Sequence, residues 1–231
     1  MSLLDVLIDV TQHLYSYDVK NTFFANKELY DNTLKVKETY HEYGQLKEKT
    51  PYYVKDGKVV KHGLSRKWSF ISNLEKECTY EHGKLYGLCR KWYRNGQLED
   101  ECTYEDNERH GLYRWFYDNG QLAIECTYEN SKRNGLCRRW YKTGELYEEC
   151  TYVNGIQDGL ERVWHENGQL LKECTYEDGE YNGLCRKWHD NGKLWLECTF
   201  DHDALHGLYR EWYRDGSLDE KCTYEHGHPK E

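Results

Sequence analysis

Alternating side chains divide most of this chain into short runs separated by glycine-containing segments. The run LEDECTY, which starts at Leu98, has Cys102 and Tyr104 at alternate positions, separated by polar side chains. A period of two is typical of a β-strand, because successive side chains point to opposite faces of a sheet. The preceding run ends at Trp92, and Asn95-Gly96 lies between the two, so the pair predicts a β-hairpin.

This hairpin unit recurs every 24 residues, with a variable polar connection between copies. The positions that keep the spacing are Gly63, Gly87, Gly111, Gly135, Gly159, Gly183 and Gly207; Trp68, Trp92, Phe116, Trp140, Trp164, Trp188 and Trp212; and Cys78, Cys102, Cys126, Cys150, Cys174, Cys198 and Cys222. A period of this length is typical of a stacked array. We therefore predict a mainly β fold, an elongated single-layer antiparallel sheet of tandem 24-residue β-hairpin repeats.

The turn chemistry predicts a three-residue loop in which only the glycine has positive φ, because other copies have residues such as Thr143 before it. Such turns are expected at Gly96, Gly120, Gly144, Gly168, Gly192 and Gly216. The favoured register sets Trp92 opposite Leu98, Leu88 opposite Cys102 and Lys91 opposite Glu99. A register shifted by one residue would instead bring Arg90 and Glu101 together. The favoured register puts Leu, Trp, Cys and Tyr on one core face and the charges on the other.

The chain ends differ from the repeats, and four segments are predicted. Residues 1–34 form a small N-terminal helical cap, since Leu4, Leu7, Ile8 and Leu14 follow a helical spacing. Residues 35–62 form a degenerate first repeat with a longer hairpin. Residues 63–227 hold the seven tandem repeats, and residues 228–231 form a C-terminal tail.

Ten cysteines raise the question of disulfides or a metal centre. In the favoured register the equivalents of Cys102 lie roughly 10 Å apart, too far to bridge. Cys89, Cys137 and Cys185 point to the opposite face, and no C-x-x-C pair is present. We expect free thiols in a reducing compartment, hence an intracellular, cytoplasmic location. Asp5 and Asp9 argue against a secretory signal peptide.

Charge and residue patterning exclude several functions. A formal charge of -9 argues against nucleic acid as a partner, and no apolar run is long enough to cross a bilayer, so a membrane role is not expected. Nearly every polar residue has copies in other repeats, which leaves no catalytic group singled out. His202 and His206 lie four apart, but in a connection and without a helix to hold them. We expect no enzyme activity, no cofactor and no metal site.

The symmetry of the charged face breaks in the middle of the array. At the positions of Lys91 and Glu99 the outer repeats carry charges, as in Lys67 with Glu75. The middle repeats carry six apolar or aromatic residues there, which we call the central stripe: Trp115, Ala123, Tyr147, Val163, Leu171 and Trp195. Exposed aromatic patches typically mark protein interfaces, so we predict protein contact here. Internal cover by a coiled sheet and self-association are the alternatives.

The pattern G-L-x-R-x-W-Y-x-N-G-x-L-x-x-E-C-T-Y resembles MORN-type repeats, in the variant form also found in YwqK-type antitoxins. The resemblance covers residues 35–227. It implies an elongated antiparallel sheet that binds proteins, sometimes membranes, and it implies no catalytic residues. The regular cysteine is a departure from the usual pattern.

Residues 2–34 are similar to a short F-box. The residues that carry this similarity are Leu4, Leu7, Ile8, Leu14 and Val19, followed by Ala25-Asn26-Lys27-Glu28-Leu29-Tyr30. An F-box beside such repeats resembles proteins of large DNA viruses of amoebae, which implies recruitment of a Skp-type linker of a host ubiquitin ligase. A helical cap on the first hairpin explains the same residues.

The function predicted from these features is a non-enzymatic protein-protein interaction array, an adaptor whose repeats bind a protein target. A structural or virion-associated scaffold and an antitoxin-like neutralising binder are the alternatives.

Overall fold

The computed structural model describes residues 34–230, which form one open antiparallel sheet of 19 strands. The strands are β1 Lys35–Tyr40, β2 Leu46–Lys55, β3 Lys58–Lys61, β4 Gly63–Trp68, β5 Leu74–Glu81, β6 Lys84–Trp92, β7 Leu98–Glu105, β8 Glu108–Phe116, β9 Leu122–Glu129, β10 Lys132–Trp140, β11 Leu146–Val153, β12 Ile156–Gln157, β13 Gly159–Trp164, β14 Leu170–Glu177, β15 Glu180–Trp188, β16 Leu194–Asp201, β17 Ala204–Trp212, β18 Leu218–Glu225 and β19 His228–Lys230. No helix occurs within residues 34–230. The mainly β, single-layer antiparallel fold is confirmed.

Strand pairing follows chain order. β2 also pairs with β4, and β11 with β13, because β3–β4 and β12–β13 are each one strand interrupted by a single residue. At the C-terminal end, β19 adds a short strand to β18, so the predicted tail continues the sheet. The helical cap predicted for residues 1–34 lies, except for Leu34, outside the described residues, and the division into four segments stays a prediction.

The predicted three-residue turn is present in every repeat. In the 87–110 repeat, Tyr93 N–H donates to the Gln97 carbonyl at 2.8 Å, and Gly96 N–H donates to the Tyr93 carbonyl at 2.9 Å. Gly96 has φ 84°, as a type I turn with a G1 bulge requires. Ser72 takes the same place in the first full repeat with φ 64°.

The polar connection between repeats is a second, tighter turn. Asp106 and Asn107 both have positive φ, 52° and 75°, which defines a two-residue type I′ turn between β7 and β8. Equivalent residue pairs, such as Asp178-Gly179, repeat this conformation. The two kinds of turn alternate along residues 34–230, so the array is one continuous antiparallel meander.

The predicted register is wrong beyond the first residue pair. Trp92 does lie opposite Leu98, but no residue of β6 lies opposite Glu99 in the register, and Lys91 lies opposite Asp100. Leu88 consequently lies opposite Thr103 rather than Cys102. The same one-residue bulge follows the turn in all seven repeats. The observed register is therefore the alternative shifted by one residue, in which Arg90 meets Glu101.

The bulge also overturns the predicted sorting of side chains. Because paired residues share a face, Cys89 and Cys102 lie together on one side, which we call the cysteine face. Arg90 and Glu101 lie opposite each other on the other side, the arginine face, and Leu88 shares it by alternation. The leucines were expected on the core face with the cysteines, and that prediction is wrong.

Burial is concentrated on the cysteine face. Cys126, Cys137 and Cys150 form one buried cluster, against which Tyr128 and Tyr152 pack. A second cluster has Cys174, Cys185 and Cys198 at its centre, with Tyr176, Tyr181, Leu196, Phe200, Leu205 and Tyr209 packed against it. By contrast, the Leu88 equivalents on the arginine face remain partly open, for example Leu160 at 38 % exposure. The core is a stripe along one face of a single layer.

The glycine at the start of each repeat lies in a second bulge. Between β7 and β8, three residues, His110, Gly111 and Leu112, lie opposite the single residue Thr103. Gly111 has φ 87°, and a Cβ at this position would lie 2.7 Å from Thr103 Oγ1. The Thr103 hydroxyl donates to the His110 carbonyl, which holds it against the glycine.

Replacing Gly111 with alanine should therefore cost more than replacing Gly87, which offers a matched control. Gly87 has φ 78°, yet an added Cβ would meet no atom within 4 Å. Gly87→Ala should cost about 1–2 kcal/mol for the left-handed backbone. Gly111→Ala should add about 1–3 kcal/mol for the clash. Native-state hydrogen exchange in the flanking strands measures both; equal costs would contradict the bulge geometry.

Candidate protein-binding face

The central stripe lies on the cysteine face, at the positions that the turn bulge creates. Ala123, Tyr147, Leu171 and Trp195 are the unpaired residues that follow the turns, equivalent to Glu99. In the first two full repeats these positions form ion pairs, with Lys91 Nζ 2.6 Å from Glu99 Oε1. The predicted contact between the two positions thus exists, although the residues are not register partners.

Two stripe residues are exposed. Trp195 and Tyr147 each keep 37 % of their surface accessible. The Trp195 indole N–H donates to Glu211 Oε1 at 2.9 Å, and Lys187 Nζ lies 5.7 Å from the ring centroid. Tyr147 contacts Tyr141 edge to face, with ring centroids 5.0 Å apart. Both rings are therefore held in place while one side stays open to a partner.

The other stripe residues contribute less accessible surface. Trp115 is half-buried, opposite Ile124 on one side and Asp100 on the other. Leu171 is also half-buried, whereas Ala123 at 2 % and Val163 at 9 % exposure are buried. A partner would contact the stripe through its aromatic residues and Leu171, with the two small residues filling the sheet surface beneath.

An ionic cluster beside the stripe escapes the sequence analysis. Lys172 Nζ lies 2.5 Å from Glu161 Oε2 and 2.8 Å from the Tyr181 hydroxyl. Glu161 is only 6 % exposed, and Val163 is a close neighbour in the same strand. Burial works against a charged Lys172, but the hydrogen bonds to Glu161 and Tyr181 raise its pKa overall. The sequence does contain a signal for this cluster, because Glu161 stands at a repeat position where most other copies have Cys or Tyr.

Burial is the main cause of two further pKa shifts near this cluster, those of Tyr176 and Glu148. Burial raises the pKa of Tyr176, and its hydrogen bond with Tyr181 and the negative charge of Glu161 add to the effect. Glu148 also has a raised pKa because it is buried, although Arg139 lies 2.7 Å from its carboxylate. These groups are paired with one another, so they stiffen the middle of the cysteine face.

The arginine face carries a regular ladder of ion pairs. Arg66 Nε lies 2.6 Å from Glu77 Oε2, and Arg186 Nε lies 2.8 Å from Glu197 Oε2. The other pairs are Arg90 with Glu101, Arg114 with Glu125, Arg138 with Glu149 and Arg162 with Glu173. In the last repeat Lys221 stands opposite Arg210, which turns to Glu197 instead. The arginines are thus neutralised within the sheet.

A search of protein-family models gives six consecutive matches to one family, the MORN repeat variant. The matched residues are 85–106, 109–130, 133–154, 157–178, 181–202 and 205–226. Together they cover more than half of the chain. The chain belongs to the MORN repeat variant family. No curated protein matches the chain.

MORN repeats are a non-catalytic repeat type that commonly builds protein- or membrane-binding arrays. The family match begins at Leu85 and leaves out the repeat at 63–84, yet β4 and β5 have the same register as the matched repeats. The structure therefore contains one more repeat of this register than the family match covers.

None of the residues in 34–230 belongs to a helix long and apolar enough to cross a bilayer.

The F-box-like residues cannot be placed on this array. Leu4, Leu7, Ile8, Leu14 and Val19 lie outside the described residues.

The MORN repeats of this chain hold their cysteines in cross-strand ladders, which contradicts the predicted ten free thiols. Cys89 lies directly opposite Cys78 on one side and Cys102 on the other. Disulfides join Cys78 to Cys89, Cys126 to Cys137 and Cys174 to Cys185, with Cα atoms 4.1, 4.2 and 4.1 Å apart. The two sets share a face because of the bulge, so the geometric objection does not hold.

Four cysteines remain as thiols: Cys102, Cys150, Cys198 and Cys222. Burial raises the pKa of Cys102 and of Cys198 to about 11, which keeps both protonated at neutral pH. The prediction of an intracellular location rests partly on free thiols, so it loses that support and stays a prediction.

Thiol titration of the denatured, unreduced chain should therefore find four thiols, and ten after reduction. Cys222→Ser is the control and should lower the first count by one, because Cys222 takes no part in a disulfide. Peptide mapping should recover the Cys78–Cys89 link. Ten reactive thiols before reduction would restore the prediction made from the sequence.

Proposed function

We propose that this MORN array is a non-enzymatic protein-binding module that contacts its target through the central stripe. The observation that carries the proposal is the exposure of Trp195 and Tyr147 at positions where the first two full repeats have ion pairs. Trp and Tyr are the side chains most often found as binding hot spots. The ionic cluster around Lys172 supports this role by fixing the neighbouring surface before a partner arrives.

The finer proposal is an adaptor. In it, Leu4, Leu7, Ile8, Leu14 and Val19 form an F-box-like surface that recruits a Skp-type linker, while the array holds the protein to be delivered. Support comes from the sequence pattern of residues 2–34 alone. Such an adaptor would act in the host cytoplasm.

The central stripe is tested with a triple variant, Trp115→Ala, Tyr147→Ala and Trp195→Ala. A matched control removes three leucines of similar exposure from the arginine face, Leu112, Leu160 and Leu184, at 39, 38 and 37 %. Affinity capture should retrieve a protein with the wild type and the control but not with the stripe variant. Each stripe tryptophan should contribute about 2 kcal/mol or more to binding in isotherms with that protein.

Stability decides between an interface and an internal core. If the stripe were internal core, truncation of Trp195 would cost roughly 3–5 kcal/mol of unfolding free energy. Thermal melts of the stripe variant close to those of the leucine control therefore support the interface. If the stripe variant loses much stability while its folded fraction binds with unchanged affinity, the interface is refuted. If the molecular mass of the wild type in solution rises with concentration, self-association is favoured.

The adaptor is tested separately with Leu7→Asp and Ile8→Asp. These changes should abolish co-purification with a Skp-type linker while the circular dichroism of the array stays unchanged, because both residues lie outside the sheet-forming repeats. Failure of the wild type to bind any linker would remove the adaptor and leave the protein-binding array standing. Capture of a coat protein or of a toxin would instead identify a scaffold or an antitoxin-like binder.

A further inference from the structure

Three potential metal ligands meet at the C-terminal end of the sheet. Asp201 ends β16, His206 lies in β17, and His226 begins the turn that follows β18. Their ligand atoms all lie within 4.8 Å of one another. A tetrahedral metal with bonds of 2.0–2.1 Å requires ligand atoms roughly 3.3 Å apart. Small side-chain rotations of the two exposed histidines therefore complete the site.

Stacking of the type I′ turns creates this arrangement. The Gly227 N–H donates to the Leu205 carbonyl at 2.8 Å, which places the His226-Gly227 turn beside the start of β17. The His206 and His226 rings consequently face each other with centroids 5.1 Å apart. Twenty residues separate these histidines in sequence, so inspection of neighbouring residues finds His202 with His206 instead.

The Asp201 carboxylate keeps one oxygen available for a cation. His202 Nδ1 lies 2.8 Å from Asp201 Oδ1, leaving the second carboxylate oxygen for another ligand. The other nearby acid, Glu225, is paired with Lys230 Nζ at 3.0 Å. Within residues 34–230, the imidazole rings of His206 and His226 make no hydrogen bond, although the Thr199 hydroxyl donates to the His206 carbonyl.

We propose that Asp201, His206 and His226 form a binding site for one divalent transition-metal ion of the Zn²⁺ class. Two imidazoles and a carboxylate are ligands of borderline ions such as Zn²⁺, Co²⁺ and Ni²⁺ rather than of Ca²⁺ or Mg²⁺. The ion joins the end of β16, the start of β17 and the last turn. It clips the final repeat at an edge where the sheet lacks a further full-length neighbour.

The chain contains its own control for this proposal. His62 and His82, six repeats earlier, occupy the positions of His206 and His226, with ring centroids 5.3 Å apart. Tyr53 stands at the position of Asp201, because it pairs with Val60, two residues before His62, as Asp201 pairs with Ala204, two residues before His206. The carboxylate is therefore missing at that end. His62 Nδ1 also accepts the His82 backbone N–H at 3.4 Å. Two neighbouring histidine rings are therefore present at both ends, but only one end has the third ligand.

Isothermal titration of the untagged full chain with ZnCl₂ tests the site. We expect one equivalent to bind in the wild type, and at least ten-fold weaker binding after His206→Gln, His226→Gln or Asp201→Asn. The double variant His62→Gln, His82→Gln should bind that equivalent with unchanged affinity. Titration with Co²⁺ should give the same order of affinities and an absorption change that the three site variants lack.

Protein stability provides the second measurement. In EDTA the His226→Gln variant should melt as the wild type does, because this side chain makes no hydrogen bond within residues 34–230; added Zn²⁺ should raise the melting temperature of the wild type only. Asp201→Asn can lower the melting temperature without any metal, because it weakens the hydrogen bond to His202. In that case the comparison of His226→Gln with the wild type is the decisive one. Absence of binding by the wild type, or equal loss in the His62/His82 control, overturns the proposal.

Discussion

The whole array depends on one unpaired residue that follows each three-residue turn. Without it, the second strand of every hairpin would meet the first strand one residue out of register, and each of its side chains would change partner. With it, Arg90 lies opposite Glu101 and Cys89 opposite Cys102. Because the bulge recurs in all seven repeats, both faces of the sheet keep the same composition from one end to the other.

The two faces stabilise the layer in different ways. Ion pairs such as Arg138 with Glu149 are partly exposed, and each contributes about 0–1 kcal/mol. The cysteine face instead buries small side chains beneath tyrosine rings, as Cys126 and Cys137 lie against Tyr128 and Tyr152. A single layer cannot bury large residues on both sides. Small cysteines at the centre let the covering rings close over them.

Much of this fold follows from the sequence, since hairpin turns, period and antiparallel meander all come from glycine spacing and alternation. Gly96 at positive φ was predictable because no other residue type suits every copy of that turn. The bulge at Glu99 could be predicted only as one of two registers, because the pairing of Arg90 with Glu101 favoured it and the pairing of Lys91 with Glu99 favoured the other. The disulfides and the placement of Leu88 on the arginine face were missed for the same reason. The central stripe stays a prediction as a binding face. The burial of Ala123 and Val163 within it could not be predicted from the sequence, since neighbouring strands supply that burial.

Cross-strand proton contacts measured by NMR on isotopically labelled protein test this account most directly, because they report register without reference to side-chain chemistry. The bulged register predicts backbone contacts between Cys89 and Cys102 and between Arg90 and Glu101, repeated at 24-residue intervals. Contacts between Leu88 and Cys102, with Lys91 meeting Glu99 along the backbone, would contradict it and return the leucines to the cysteine face.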